Sequence, residues 1–347
     1  MRMRKLVGVA AATVALALVA GACSSSNDST SSSGATGGSS APVSGTIAIS
    51  GSSTVEPISS LAAESFSGTN PDVNISVDGP GTGDGFVLFC EGKTDISDAS
   101  RPIDPTSEVK DCKKNGINYV ELKIGLDGIT VMTNPANSDV TCLNKGDLYA
   151  LFGPQSDGID TWDGADSLAN KVGGTDNFPS APLDITAPGQ ESGTYDAFIE
   201  LAGIADTAIA QGVPEAKSAA LRNDYQSSPN DNVIIQAMEG SDSALGFVGF
   251  AFADQAASQV KEIKIDGGSG CVAPSKETIA DGSYPLSRAL YIYVNTDKLA
   301  TNPALKAFVD YYVSDEGITA VTDADYVAIP SDQLAQTQAA WAAASGS

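Results

Sequence analysis

The stretch Gln190-Glu191-Ser192-Gly193-Thr194-Tyr195 places a hydroxyl side chain on each side of a glycine, directly after the breaker Pro188-Gly189. Large apolar residues then recur at helical spacing as far as residue 202, which predicts a helix that begins near Ser192. The first N–H groups of a helix lack intrahelical acceptors, and together with the helix dipole they can hold an anion. Because Ser and Thr are also common helix caps, the stretch alone favours capping over a ligand site.

Two further turns also combine glycine with hydroxyl side chains. Residues 46–50 alternate like a strand, and Gly51-Ser52-Ser53-Thr54 leads from them into an apolar run at helical spacing. Residues 73–77 form a second predicted strand, which the loop Gly79-Pro80-Gly81-Thr82-Gly83-Asp84-Gly85 follows. Its glycines allow a backbone to approach a ligand closely. The loop lacks the Gly-Lys-Ser/Thr ending of a P-loop, and it is not a convincing dinucleotide fingerprint.

A fourth turn contains an arginine, a residue that is rare in this chain. Residues 94–103 predict a short strand that ends in a polar turn with Ser100 and Arg101. The planar fork of an arginine suits a two-point grip on an oxyanion. A surface ion pair is an equally good interpretation of a single arginine. The chain thus predicts several donor-rich turns and one arginine that could converge on an anion.

The start of the chain predicts export and anchoring. A basic front and an apolar run over residues 6–20 precede Ala20-Gly21-Ala22-Cys23, which resembles a bacterial lipobox with Cys23 as the lipidated residue. A plain secretory signal with a chance cysteine is the alternative. Residues 24–44 are rich in Ser, Gly and Thr and are predicted to be a flexible tether. We therefore expect a lipid anchor on the extracytoplasmic face of the cell membrane, with no second membrane-spanning stretch.

Composition excludes several classes of function. The chain of 347 residues has a net charge of −24 and no histidine. An acidic surface argues against nucleic-acid binding, which needs Lys and Arg. The missing histidine removes Ser-His-Asp and Cys-His catalysis and His-ligated metal sites. Because salt screens surface charge over about 10 Å, local N–H dipoles can still hold an anion at contact distance.

Several motifs in this order resemble the phosphate-binding lipoproteins of ABC importers, the PstS proteins. The motifs are Gly51-Ser52-Ser53-Thr54-Val55-Glu56-Pro57-Ile58, Gly81-Thr82-Gly83-Asp84-Gly85, Asp95-Ile96-Ser97-Asp98-Ala99-Ser100-Arg101-Pro102, Leu143-Asn144-Lys145-Gly146-Asp147-Leu148-Tyr149-Ala150-Leu151-Phe152, Glu191-Ser192-Gly193-Thr194 and Tyr284-Pro285-Leu286-Ser287-Arg288. The resemblance covers nearly all of residues 45–340. It implies an α/β, two-lobed periplasmic-binding-protein type 2 fold, in which each lobe is a mixed sheet flanked by helices and two crossing hinge strands join the lobes.

The resemblance also divides the chain. It implies that residues 45–130 and 287–347 form lobe I and that residues 131–286 form lobe II, with hinge strands near residues 126–132 and 284–295. Four cysteines follow the lipobox, and outside the cell an even count suggests disulfides. Of the three possible pairings we favour Cys90–Cys112 with Cys142–Cys271, since each pair then stays within one half of the chain. A structural metal site is the alternative, although no CxxC spacing supports it.

The resemblance implies a binding protein without a cofactor or metal, which captures inorganic phosphate and passes it to membrane permease subunits; we expect a monomer and no enzyme activity. The residues that it assigns to phosphate are Ser53, Thr54, Thr82, Ser100, Arg101, Ser192, Gly193 and Thr194. Two departures stand out: Pro188 occupies the place of an arginine in well-studied members, and Ser100 that of an aspartate. The carboxylate that would accept the ligand's proton stays open between Asp98, Glu191 and Asp231.

Other functions are weighed against this one. The same fold could hold another tetrahedral oxyanion, sulfate or molybdate. A phosphate-linked hydrolase could use Ser192 as its nucleophile, but the sequence supplies no general base beside it. An anchored sensor or adhesin that binds a protein is supported only by the tether and the acidic surface.

Overall fold

The computed structural model describes residues 43–174, 177–190 and 192–346. The predicted signal peptide, the predicted lipidation residue Cys23 and nearly all of the predicted tether lie outside the described residues, and so does Glu191. Within the described residues, no helix combines the length and the apolar composition that a membrane span requires.

The strands alternate with helices along the chain, as the turns predicted. The strands are β1 (Gly45–Gly51), β2 (Val73–Asp78), β3 (Ile96–Ala99), β4 (Tyr119–Thr133), β5 (Cys142–Asn144), β6 (Asp184–Ala187), β7 (Gln226–Ser227), β8 (Ala244–Gly249), β9 (Lys261–Glu262), β10 (Lys264–Asp266), β11 (Cys271–Val272), β12 (Ser287–Asn295) and β13 (Val327–Ala328). The three strands predicted near residues 46, 73 and 96 are confirmed as β1, β2 and β3.

The helices begin where the donor-rich turns end. They are α1 (Glu56–Thr69), α2 (Thr82–Cys90), α3 (Glu108–Lys114), α4 (Lys145–Phe152), α5 (Asp166–Val172), α6 (Gly193–Leu201), α7 (Ile204–Ala210), α8 (Glu215–Ser218), α9 (Asp231–Gly240), α10 (Phe250–Gln255), α11 (Lys276–Ala280), α12 (Pro303–Tyr312), α13 (Ala320–Asp323) and α14 (Ser331–Ser345). Short 3₁₀ turns cover Asp163–Ala165, Thr296–Lys298 and Gly317–Thr319.

One long mixed sheet runs through the molecule in the order β2-β1-β3-β12-β4-β8-β6-β7, with β9 and β13 also pairing with β4, while β11-β10-β5 form a small sheet. The first part of β4 pairs antiparallel with β12 from Tyr119 to Gly128, and its last part pairs with β8 from Ile129 to Thr133. Strand β4 therefore connects the two halves of the sheet, and β12 returns beside it, as predicted for the hinge strands.

The two largest apolar cores pack on the two halves of this sheet. In one, helices α1, α12 and α14 bury residues such as Phe66, Phe308 and Trp341 against β1, β3 and β12. In the other, α4 and α6 bury Leu148 and Phe198 against β6 and β8. The first core draws its buried residues from positions 47–124 and 290–341, whereas the second draws them from 126–286 and from two residues near β13. The predicted α/β architecture is confirmed.

Both predicted disulfides are present. Cys90 at the end of α2 is bonded to Cys112 in α3, and Cys142 in β5 is bonded to Cys271 in β11. The second bond closes a sequence separation of 129 residues around the smaller sheet. Because a cross-link restricts the unfolded chain more when the closed loop is longer, this bond is expected to contribute substantially to stability.

We predict that replacing Cys142 and Cys271 together by serine lowers the free energy of unfolding by about 2–4 kcal/mol, since the long loop regains its freedom in the unfolded chain. Denaturant unfolding of the oxidised protein measures this. Serine suits both positions because Cys271 is exposed and Cys142 is half-buried. A double variant within about 0.5 kcal/mol of the wild type, the range of an ordinary surface substitution, would contradict the prediction.

Candidate anion-binding cavity

A polar cavity of about 330 Å³ lies where the donor-rich turns meet. Its lining consists of Ser52, Ser53, Thr54, Gly81, Thr82, Gly83, Ser100, Arg101, Asp196, Glu200 and Arg288. Strands β1 and β3 pair in parallel, so their carboxyl ends reach the same edge of the sheet and bring the turns after them together. The structure thus collects five of the eight residues that the resemblance assigns to phosphate, and it adds Arg288, Asp196 and Glu200.

Close packing between glycines brings the first turn of α2 to this edge. A Cβ on Gly85 would lie 2.4 Å from the Cα of Gly51, so a side chain there would push α2 away from β1. Gly81 precedes the helix with a φ of 113°, a conformation that favours glycine. As a result, the N–H groups at the start of α2, which have no intrahelical acceptors, face the cavity beside Thr82 and Gly83.

Thr54 is the hydroxyl whose orientation the structure defines most clearly. Its Oγ1 accepts a hydrogen bond of 2.9 Å from Nη2 of Arg288, and the residue is buried. Since the oxygen already accepts from a cation, the hydroxyl proton is free to point at an acceptor in the cavity. The backbone N–H of Thr54 donates to Oγ of Ser52 over 3.2 Å, which fixes the turn.

Thr82 and Ser100 contribute a pair of hydroxyls to the cavity lining. Oγ1 of Thr82 accepts from the backbone N–H of Ser100 over 3.2 Å and lies 3.1 Å from Oγ of Ser100. One of these two hydroxyls donates to the other, so the pair retains a proton for a further acceptor. This contact ties the start of α2 to the end of β3, as the converging turns predicted.

Arg101 lines the cavity but is held by an ion pair. Its two terminal nitrogens donate to the two carboxylate oxygens of Glu108 over 2.9 and 2.7 Å, and its guanidinium lies 5.6 Å from the centre of the Phe86 ring. The hydrogen bonds that Arg101 donates to Glu108 are the main reason that the pKa of Arg101 is raised. The alternative interpretation of Arg101 as part of an ion pair is therefore the one that the structure displays.

Arg288 is the cation that sequence reasoning did not place in the site. Its Nε donates to Oδ2 of Asp127 over 3.1 Å, its Nη1 to Oε2 of Glu200 over 2.5 Å, and its Nη2 to Thr54. Burial raises the pKa of Asp127, while the positive charge of Arg288 opposes that rise. A signal was available, because Arg288 is one of only three arginines after residue 23 and ends a motif that the resemblance had singled out.

The N-cap and the first two residues of α6 lie beside the cavity and are not part of its lining. Oγ of Ser192 accepts from the N–H of Thr194 over 3.2 Å, so Ser192 is an ordinary N-cap, and neither Ser192 nor Thr194 is part of the cavity lining. A Cβ on Gly193 would lie 3.5 Å from the carbonyl oxygen of Ser53, so the helix start lies against the turn after β1. The positive end of the helix dipole therefore points toward that turn.

Acidic side chains of α6 close the other side of the cavity. Oδ2 of Asp196 lies 3.5 Å from Oγ of Ser53, and burial raises the pKa of Asp196. Asp98 and Asp231, which sequence reasoning had left open as acceptors, do not line the cavity. Asp98 is fully buried beside Ser59, and Asp231 starts α9, where burial raises its pKa to about 6. Among the described residues, Asp196 and Glu200 are thus the carboxylates that line the cavity.

The described residues contain no group of three or more acidic or cysteine side chains that could hold a metal ion. The cavity instead combines hydroxyls, helix N–H groups and two arginines with carboxylates. Such a donor set suits a small oxyanion that carries a proton, because oxyanion oxygens accept from the donors and a carboxylate accepts the proton.

Two large apolar cores lie on one sheet, and the paired strands β4 and β12 connect the halves of that sheet. A small polar cavity lies where the donor-rich turns meet. This combination is typical of a solute-binding protein. The chain belongs to the PBP superfamily, because the model of the PBP superfamily domain matches residues 36–316.

Relatives extend this assignment. Protein SphX of Synechocystis sp. is 41% identical over 288 residues, which cover 82% of this chain and 79% of the relative. The phosphate-binding protein PstS of Staphylococcus saprophyticus is 33% identical over 339 residues, 97% of this chain and 94% of the relative. The resemblance to PstS proteins is therefore confirmed.

Solved structures agree in fold. The structure of a possible phosphate-binding protein from Planctomyces limnophilus is 35% identical, with a TM-score of 0.77 over 87% of this chain and 99% of that chain. An ABC-type phosphate transport receptor from Vibrio cholerae is 22% identical, with a TM-score of 0.58 over 82% of this chain and the whole of that chain, and it shares the fold.

Proposed function

We propose that the chain is an extracytoplasmic solute-binding lipoprotein that captures inorganic phosphate and delivers it to an ABC permease. The observation that carries this proposal is the convergence of donors after β1 and β3 and at the start of α2 with Arg288 in one small cavity. The relatives that are phosphate-binding proteins supply the identity of the anion. In this proposal residues 45–130 with 287–347 form one lobe and residues 131–286 form the other, and closure follows binding.

The physical basis is replacement of the hydration shell. A phosphate that leaves water needs nearly all of its hydrogen bonds restored, since an unpaired buried polar group costs about 1–3 kcal/mol. We assign its contacts to Ser53, Thr54, Thr82, Ser100, Arg101, Ser192, Gly193 and Thr194, and we add Arg288. Ser192, Gly193 and Thr194 act in this assignment through the N-terminal end of α6 rather than through their hydroxyls.

The anchor and the tether complete the proposal. Lipidation at Cys23 would hold the protein at the extracytoplasmic face of the membrane, and residues 24–44 would let the binding unit reach the permease. The protein acts as a monomer in this proposal, and it has no cofactor.

We also propose that the chain is a binding protein and not an enzyme. Oγ of Ser192, the hydroxyl that a hydrolase would need as nucleophile, accepts the cap hydrogen bond from Thr194, and the sequence holds no histidine to activate it. Turnover of a phosphomonoester that is lost in Ser192→Ala would overturn this part.

Calorimetry tests the proposed ligand. We predict that protein freed of bound phosphate binds phosphate near 1:1 with micromolar or tighter affinity, and that Thr82→Val weakens binding by about tenfold because one hydrogen bond to a charged ligand is lost. Thr301→Val is the matched control, since the Thr301 hydroxyl donates to Lys298 at a different cavity. Absence of both heat and thermal shift with phosphate would refute the proposal.

The second candidate is another tetrahedral oxyanion in the same cavity. Asp196 favours phosphate, because a carboxylate accepts a proton that phosphate carries and sulfate lacks at neutral pH. A competition series with sulfate and molybdate separates the candidates: phosphate must remain bound at a large excess of either. Displacement by sulfate at equal concentration would favour the second candidate.

A further inference from the structure

Two carboxylates of α6 bridge the cavity to residues of β12 and the turn after β1. Oε2 of Glu200 lies 2.5 Å from Nη1 of Arg288, and Oδ2 of Asp196 lies 3.5 Å from Oγ of Ser53. All four of these residues line the cavity. An anion that occupies the cavity must therefore either share Arg288 with Glu200 or displace Glu200 from Arg288.

The three partners of Arg288 differ in how firmly they are held. Asp127 and the guanidinium are both buried, with 6% and 8% of their side chains exposed, so their ion pair is a fixed part of the structure. Thr54 is buried as well. Glu200, in contrast, keeps 52% of its side chain exposed. Because water can take over its hydrogen bonds at little cost, Glu200 is the partner that can leave.

The Glu200 carboxylate also has the chemistry of a competitor. It accepts a charge-assisted hydrogen bond from Nη1, the kind of contact that a phosphate oxygen would make. Asp127 alone cannot take Glu200's place, since it is bound to Nε on the other side of the guanidinium.

We propose that Glu200 is an affinity- and specificity-determining residue, an internal anion that occupies Nη1 of Arg288 until phosphate displaces it. This inference rests on the proposed function. The exchange sets a threshold, because an anion binds only when its contacts to Arg288 and the hydroxyls exceed those that Glu200 gives up. Glu200 thus weakens phosphate binding and rejects anions that make fewer contacts.

Calorimetric titration of phosphate into the wild type, Glu200→Gln and Glu239→Gln tests the inference. Glutamine keeps the shape and one acceptor, but it loses the charge that holds Nη1. Glu239 is exposed in α9 and does not line the cavity, so its variant controls for the loss of one negative charge. We expect Glu200→Gln to lower the Kd by about three- to fivefold, the upper part of the scale of one exposed ion pair, and Glu239→Gln to leave it within about twofold.

The coupling between Glu200 and Arg288 is tested with Arg288→Gln. If Glu200 acts through Arg288, adding Glu200→Gln to Arg288→Gln restores no affinity. Thermal unfolding of each variant shows that it is folded. If Arg288→Gln fails to fold, Arg288→Lys is used instead. Adding Glu200→Gln to Arg288→Lys must then increase phosphate affinity by less than it does in the wild type, because lysine lacks the planar group that donates to Thr54 and Glu200 at the same time.

The outcomes separate the two proposals. A wild type that gives no heat refutes the proposed function and this inference with it. A wild type that binds while Glu200→Gln binds more weakly, or no differently from Glu239→Gln, overturns the inference alone. A Glu200→Gln protein that binds phosphate more tightly and sulfate disproportionately better supports both the competition and the threshold.

Discussion

Arg288→Gln is expected to weaken phosphate binding by about 100-fold or more, since removing one partner of a buried, hydrogen-bonded charge contact costs about 2–5 kcal/mol. The guanidinium is the buried cation of the cavity lining, and it also holds Oγ1 of Thr54, so the variant loses both a charge and an oriented hydroxyl. Calorimetry at fixed ionic strength measures the loss.

The change also leaves Asp127 buried without its cation, which can destabilise the fold. Arg288→Gln is therefore combined with Asp127→Asn, whose amide restores a neutral partner, and urea unfolding confirms that the double variant is folded. The double variant should bind phosphate as weakly as the single one, because the missing charge and not misfolding causes the loss.

Arg101→Ala is the comparison that decides which arginine acts. The resemblance assigned Arg101, and not Arg288, to phosphate. Both terminal nitrogens of Arg101 donate to Glu108. We therefore expect Arg101→Ala to lose less phosphate affinity than Arg288→Gln. If Arg101→Ala loses more affinity than Arg288→Gln, then Arg101 leaves Glu108 on binding and is the main cation of the site.

Local pattern was enough to predict the elements and their turns. Alternation over residues 46–50 and 73–77 predicted β1 and β2, and helical spacing after Ser192 predicted α6, because both periods reflect which face of an element is buried. Sequence reasoning could also place Thr54, Thr82 and Ser100 at strand-to-helix turns. Parallel pairing of β1 with β3 then brings those turns to one edge.

What local pattern could not supply is the partner of each polar side chain. Thr54 and Arg288 are 234 residues apart, and only the return of β12 beside β4 brings them together. Arg101 has a carboxylate seven residues away that captures its fork, which spacing alone cannot distinguish from a free cation. A charged side chain is available to a ligand only if no opposite charge nearby in the folded protein already pairs with it. Residue spacing along the sequence does not reveal these neighbours.

The same limit explains the acceptor carboxylate. Asp98 was one of the acceptors left open, yet it lies within β3 and is fully buried against α1, where Ser59 donates to its Oδ1. Asp196 was not among the candidate acceptors, and it lies inside α6 rather than in a donor-rich turn. One helical turn beyond its N-cap, however, a side chain still reaches across to Ser53.

Asp98→Asn is expected to make the protein more stable than the wild type at pH 8 and equally stable near pH 4. Asp98 is fully buried; Oδ1 accepts from Oγ of Ser59 over 2.9 Å, and Oδ2 has no hydrogen-bond partner within the described residues. Burial, with a further contribution from Glu56, raises its pKa from 3.8 to about 7.

The direction of the pH effect follows from proton binding. The folded protein holds the proton of Asp98 more tightly than the unfolded chain does, so folding is favoured fully below about pH 4 and this contribution is lost as the pH rises to about 7. Over that interval, the free energy of unfolding should fall by about 1.4 kcal/mol per pH unit on account of this group. Asparagine resembles the protonated acid and has no charge to bury, so the variant should lack this fall.

Urea unfolding of the wild type, Asp98→Asn and Asp242→Asn at pH 5, 6, 7 and 8 measures the difference. Asp242 is exposed between α9 and β8 and controls for the loss of one negative charge. The gap between Asp98→Asn and the wild type should widen from pH 5 to pH 7 and then level off at several kcal/mol at pH 8, while Asp242→Asn follows the wild type. If the free energy of unfolding varied with pH in the same way for all three proteins, the pKa of Asp98 would not be raised and the prediction would be wrong.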